Sequence, residues 1–101
     1  KRYLTDNLAY LRQRIKEDLP GIRLIEPEGT YLVWLDLRQL DLSEEEQRKL
    51  IVDDARLWLD TGTMFGAEGA GFERINIACP RSTLKEAMDR LARALQKKGE
   101  A

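Results

Sequence analysis

Leu4, Leu8, Leu11, Ile15 and Leu19 recur at helical spacing with charged residues between them, so the first twenty residues predict an amphipathic helix, stopped by Pro20-Gly21. Ile22 to Ile25 and Thr30 to Leu37 are rich in β-branched and aromatic residues on either side of Glu26-Pro27-Glu28-Gly29. They predict two strands joined by a connection, with Trp34 and Tyr31 in the core or the wall of a site and the core the reading for Tyr31. Ser43-Glu44-Glu45-Glu46 has the capping-box pattern, a hydroxyl at a helix start and a glutamate three residues on, so a second helix is expected from there to Ala55. Its glutamates favour the positive end of the helix dipole and read as a solvated helix start rather than a metal site.

Arg56 to Asp60 predicts a short third strand, and Thr61 to Gly71, with four of the seven glycines, a loop able to approach another surface closely. Gly66, Gly69 and Gly71 do not precede a helix in a phosphate-cradling arrangement and read as turn formers. Phe72 to Ala78 predicts a fourth strand ended by Pro80, with a second possible capping box at Thr83 to Glu86. Leu84, Ala87, Met88, Leu91 and Leu95 define the buried stripe of a closing helix, and Lys97 to Ala101 are expected to fray. The order helix, two strands, helix, two strands, helix predicts an α+β fold: helices on one face of a small, largely antiparallel sheet.

A chain of 101 residues suffices for one modest core and therefore one domain, residues 1–101. Seventeen basic against eighteen acidic residues argue against nucleic acid as the main partner, which needs a basic excess on one face. The longest apolar run, Tyr31 to Leu35, is too short to cross a bilayer, so no membrane partner is expected. One cysteine and no visible targeting segment make a reducing, cytoplasmic setting the expectation. With no histidine and a single cysteine, neither a zinc site nor a Cys-His nucleophile can be built within the chain. Cys79, between Ala78 and Pro80, reads as a small buried hydrophobe.

The informative chemistry lies in Gly62-Thr63-Met64-Phe65-Gly66 and in Phe72-Glu73-Arg74-Ile75-Asn76-Ile77. Strand alternation puts Arg74 and Asn76 on one face and Ile75 and Ile77 on the other, in the core. A guanidinium there calls for an anionic partner. That partner is either one of the chain's own acids, in a structural ion pair, or the carboxylate or phosphate of a small ligand, which the planar fork of arginine matches two bonds at a time.

Pro27-Glu28-Gly29-Thr30-Tyr31-Leu32-Val33-Trp34-Leu35-Asp36, then Gly62-Thr63-Met64-Phe65-Gly66, then Arg74-Ile75-Asn76-Ile77-Ala78-Cys79-Pro80-Arg81-Ser82-Thr83-Leu84 resemble, in this order and spacing, the C-terminal part of pyridoxal-phosphate enzymes of the aminotransferase class I/II superfamily. Within it they are most similar to the MalY/PatB-type cystathionine beta-lyases. The resemblance implies the C-terminal small domain of a larger enzyme that eliminates across a carbon-sulfur bond or transfers an amino group, its large cofactor-binding domain lying outside these residues. It implies Arg74 as the ligand of the α-carboxylate of an amino-acid substrate, with Phe65 excluding water and Gly66 permitting close approach on the substrate side. Asn76 would support Arg74, or is simply a satisfied amide. Gly29-Thr30-Tyr31 would come near the active-site entrance, and Arg81 is expected to be an exposed or locally paired charge.

Pyridoxal phosphate is thus implied for the full-length enzyme, which is expected to be a homodimer. No catalytic residue, cofactor ligand or metal ligand is assigned within this chain. None of Lys1, Lys16, Lys49, Lys85, Lys97 and Lys98 lies in a segment resembling the Schiff-base motif, so the fragment is expected to be inert and to bind no cofactor by itself. The absence of an initiator methionine before Lys1 fits a piece of a longer protein. The alternative is a free-standing regulatory α+β module in which Arg74 recognises an amino-acid effector.

Overall fold

A computed structural model describes residues 2–26 and 31–99, with side chains from Leu4 onward. The start of the second predicted strand at Thr30, the Gly29-Thr30 part of the entrance segment and the last two residues of the predicted fraying tail lie outside the described residues. Helix α1 spans Arg2–Asp18, β1 Arg23–Ile25, β2 Leu32–Asp36, α2 Glu44–Arg48, β3 Asp60–Thr61, β4 Phe72–Asn76 and α3 Arg81–Gly99. The strands form one antiparallel sheet in the order β1-β2-β4-β3. The α+β fold with helices against one sheet face is therefore the one the hydrophobic pattern predicts.

Alternation along the strands separates the two faces. Val33 and Leu35 of β2 and Ile75 of β4 point into the core and meet Leu11 and Ile15 of α1 and Leu84, Met88 and Leu91 of α3. The opposite face carries a cross-strand row set by register: Ile25 opposite Trp34, Trp34 opposite Arg74, and Arg74 opposite Asp60. Among the described residues no α-helix covers this row, and Ile25 and Phe65 are among the exposed large hydrophobic side chains there.

The predicted start of α2 is present in full: Ser43 Oγ accepts from the Glu46 amide at 3.0 Å and Glu46 Oε1 accepts from the Ser43 amide at 2.8 Å. The helix continues as a π-helical stretch, Lys49–Asp54, closed by an Ala55 N–H to Leu50 carbonyl bond of 2.9 Å, which turns Leu50 and Ile51 into the core. Three expectations fail nearby. The third strand does not begin at Arg56, because Arg56 is left-handed at φ 57° and the Leu57 amide bonds the Ile51 carbonyl, so pairing starts only at Asp60. The closing helix begins at Arg81 rather than at a Thr83 cap, since the Pro80 carbonyl already accepts from the Thr83 and Leu84 amides. Tyr31, expected in the core, is 48% exposed because it precedes the first rung of the β2–β4 ladder. Lys97 to Gly99 form the last residues of α3. Among the described residues no helix is long and apolar enough to cross a membrane.

Candidate carboxylate-binding site

Arg74 stands at the centre of this second sheet face. Its Nε and Nη2 both donate to one oxygen of Asp60, Oδ2, at 3.1 and 3.0 Å. Two residues beyond Asp60, the 3-10 turn Gly62–Phe65 begins and folds back, laying the centre of the Phe65 ring 4.4 Å from the guanidinium carbon. Trp34, on the neighbouring strand, lies 5.8 Å from the same carbon and meets Phe65 edge-on at 5.4 Å between ring centres. The guanidinium thus has aromatic faces beside it, which suit a delocalised cation with weakly held water. Asp60 occupies its Nε edge, and the Arg74 side chain is 25% exposed.

The turn that positions Phe65 depends on two glycines. A Cβ on Gly62 would lie 2.0 Å from the Gly69 carbonyl oxygen, and one on Gly69 would lie 2.1 Å from that of Gly62. The two backbones therefore touch where no side chain fits, bringing the ends of the loop together. Gly66, with φ 125°, lets the chain reverse directly after Phe65. Beside the loop, Ile25, Trp34, Gly62, Phe65 and Phe72 line an apolar groove of about 410 Å³ with Glu68 at its side.

Of the residues the sequence pointed to, Arg74 and Phe65 are in contact, and Gly66 sits at the end of the Phe65 turn. Asn76 shares the face of Arg74 but is exposed, and its Oδ1 accepts from the Ala78 amide at 2.7 Å, closing a turn after β4. Trp34 belongs to the wall of the site. Arg81 is exposed, as expected, and its Nε donates to Asn7 Oδ1 at 3.0 Å while its guanidinium lies over Tyr10, tying α3 to α1. Asn7 in turn donates to the Ile77 and Cys79 carbonyls at 2.9 and 2.8 Å, anchoring the segment after β4. Cys79 is half-buried, and burial pushes its thiol up from the ordinary value.

Sequence reasoning missed three acidic residues. Asp60 was read only as the end of a strand, and nothing local singles it out among eighteen acids. Glu73 is buried on the core face behind Arg74, where alternation from Ile75 could have placed it. Its carboxylate accepts from Gln47 Nε2 at 2.5 Å, and burial raises its pKa above the usual glutamate value. Asp36 is buried at the end of β2 and accepts from the Arg38 amide, Nε and Nη2, each at 3.0 Å. Those Arg38 bonds hold its carboxyl below the usual aspartate range, and the Arg38 guanidinium covers Phe72 at 4.9 Å.

Lys16, Lys49, Lys85, Lys97 and Lys98 lie on α1, on α2 and its continuation, and on α3, in the layer across the sheet from Arg74. Lys49 and Lys85 are paired with Asp54 and Asp89. Among the described residues no lysine stands on the sheet face that carries Arg74.

Residues 1–91 match the family described as aminotransferase class I and II. The chain is 35% identical over 94 residues to Protein MalY of Escherichia coli, covering 93% of this chain and 24% of that protein. It is 30% identical over 93 residues to the cystathionine beta-lyase PatB of Bacillus subtilis, covering 92% of this chain and 24% of that protein. Among solved structures, cystalysin of Treponema denticola, which contains a pyridoxal 5′-phosphate cofactor, superposes with a TM-score of 0.89 at 33% identity. The superposition covers 95% of this chain and 24% of cystalysin. The chain thus spans about a quarter of the length of the relatives it matches.

Proposed function

The chain belongs to the aminotransferase class I and II family, and from that membership we propose that it is the small substrate-closing domain of a longer pyridoxal-phosphate enzyme, a carbon-sulfur β-lyase of the cystathionine type. In this reading Arg74 binds the α-carboxylate of the amino-acid substrate. The observation that carries it is the state of the Arg74 guanidinium: flanked by Phe65 and Trp34, engaged by Asp60 at the Nε edge through a single oxygen, and still partly exposed on a face that none of the described α-helices covers. A purely structural ion pair is also served by this contact. It does not account for the aromatic groove beside it or for the exposed Ile25, Met64 and Phe65, which suit a face that another part of the polypeptide closes over.

The chemistry of the residues follows from this placement. The end of the guanidinium fork, Nη1 and Nη2, can take both oxygens of a carboxylate, which fixes the orientation of the substrate as well as its position. Phe65 and Trp34 crowd the guanidinium and reduce its contact with water, which strengthens the charged hydrogen bonds made at its end. Pyridoxal phosphate, when held by the rest of the enzyme, supplies the electron sink for breaking a bond at the substrate's α- or β-carbon. Family membership equally accommodates amino-group transfer, and the products separate the two: an oxo acid with ammonia and a thiol for the lyase, an aminated acceptor for the transferase.

Arg74→Ala in the full-length enzyme tests the assignment. Loss of one partner of a buried charged pair typically costs about 2–5 kcal/mol, so kcat/KM should fall by roughly two to three orders of magnitude. Arg74→Lys should also be poor, because an ammonium keeps the charge and loses the fork. A variant that melts earlier yet turns over normally would show that the Asp60–Arg74 pair is structural and that the carboxylate binds elsewhere.

A further inference from the structure

Asp60 and Phe65 hold one guanidinium from two directions, and both come from the same six-residue stretch, Asp60 to Phe65. Asp60 sits directly opposite Arg74 in the β3–β4 ladder, so its reach to the Nε edge is set by strand register rather than by a flexible loop. Both of its hydrogen bonds use Oδ2, at 3.1 and 3.0 Å, and both run to the Nε side of the fork. With Phe65 against one face at 4.4 Å, the rotation of the guanidinium about its last bonds is restricted before any ligand arrives.

Building on the reading of Arg74 as the carboxylate ligand, we infer that Asp60 is a positioning residue for that function: it occupies the Nε edge of Arg74 and turns the Nη1–Nη2 end toward the incoming α-carboxylate. The two carboxylates then share one cation, which carries an electrostatic cost. Asp60 is 45% exposed, so its charge is largely screened by water, while the ordering of a long side chain is a cost that binding must otherwise meet. Pre-orientation therefore outweighs the repulsion. The short β3, only Asp60–Thr61, has a purpose in this light: two paired residues suffice to place the carboxylate on the edge of Arg74 before the chain turns to present Phe65.

The test uses the full-length enzyme and 3-phenylpropanoate, a carboxylate without an amino group that cannot condense with an aldehyde, titrated by calorimetry. Asp60→Ala should weaken its binding about five- to tenfold, the loss expected when one rotamer-rich side chain must be ordered on binding. Asp60→Asn keeps an acceptor oxygen at the same place and removes the charge, so its affinity should stay at or above that of the parent. Tighter binding by both variants would make Asp60 a competitor for the arginine and overturn the inference. Unchanged affinity in Asp60→Ala with a lowered melting temperature would make the contact purely structural, and would overturn it too. Arg74→Ala separates this from the underlying assignment. If that variant binds 3-phenylpropanoate as the parent does, the carboxylate reading itself falls; if it loses binding while Asp60→Ala does not weaken it, only the role of Asp60 is wrong.

Discussion

Replacing Gly62 by alanine asks whether the backbone contact between Gly62 and Gly69 is what holds Phe65 over Arg74. Gly62 has no left-handed φ that would penalise an L-residue, so the substitution tests contact alone. The new methyl would lie 2.0 Å from the Gly69 carbonyl oxygen, 2.9 Å from its carbon and 3.0 Å from Phe72 Cβ. Comfortable carbon contacts begin near 3.5 Å, so the first of these demands a shift of more than about 1 Å. The obstacle is backbone, and no rotamer change relieves it. Overfilling a packed site costs about 1–3 kcal/mol, and in a domain of this size each kcal/mol lowers Tm by roughly 4–8 °C. The shift falls three residues before Phe65 and two after Asp60, so it also displaces the groups holding the guanidinium. A misplacement of about 1 Å at a positioning group can cost roughly a hundredfold in rate. Thermal unfolding of the 101-residue chain by circular dichroism, with kcat/KM of the full-length enzyme, reads both effects. Gly99→Ala is the control, since a Cβ there meets nothing within 4 Å at the end of α3, and it should be neutral or slightly stabilising. A Gly62→Ala variant with unaltered Tm and turnover would refute the claim that this contact sets the loop.

Burial raises the pKa of Glu73 above its ordinary 4.5, so the folded state holds that proton more tightly than the unfolded state. The stability this contributes is present at low pH and is lost as pH rises through the folded pKa. Glu73→Gln should therefore be more stable than the parent at pH 7.5 in urea unfolding and nearly equal to it near pH 4. A variant less stable at neutral pH would mean that the 2.5 Å bond from Gln47 outweighs desolvation. The isolated chain should fold, because its core of buried Leu, Ile, Val and Met side chains is contiguous, and it should take up pyridoxal phosphate without a preferred lysine. Borohydride reduction followed by peptide mapping would contradict this if one lysine carried a full equivalent of label. The same chain should self-associate in concentration-dependent light scattering, since Ile25, Met64, Phe65 and the 82% exposed Trp58 lie at its surface; a strictly monomeric fragment would favour a free-standing module instead.

Much of this molecule can be read from local pattern, because local pattern reports which side of an element meets the core. Leucine spacing defines the buried stripes of α1 and α3, Ser43 and Glu46 mark the start of α2, and alternation in β4 puts Arg74 opposite in sense to Ile75. The order of elements and the family resemblance follow from the same segments, and so does the prominence of Arg74. Where the local signals compete, the reading slipped. Leu57 and Leu59 alternate as a strand would, yet the π turn and left-handed Arg56 before them carry Leu57 beneath the helices and delay pairing to Asp60.

Partner choice belongs to tertiary structure. Any of several acids could have met Arg74, and only the β3–β4 register selects Asp60. Asn7 and Arg81 are 74 residues apart, and their bond exists because α1 and α3 lie side by side on the sheet. Trp34 became a wall of the site, and not core, because register rather than hydrophobicity puts it on the uncovered face. A side chain's class and spacing predict that it will be buried or paired, since those depend on its own chemistry; which group it finds depends on distances between segments far apart in the chain, and only the folded backbone sets them.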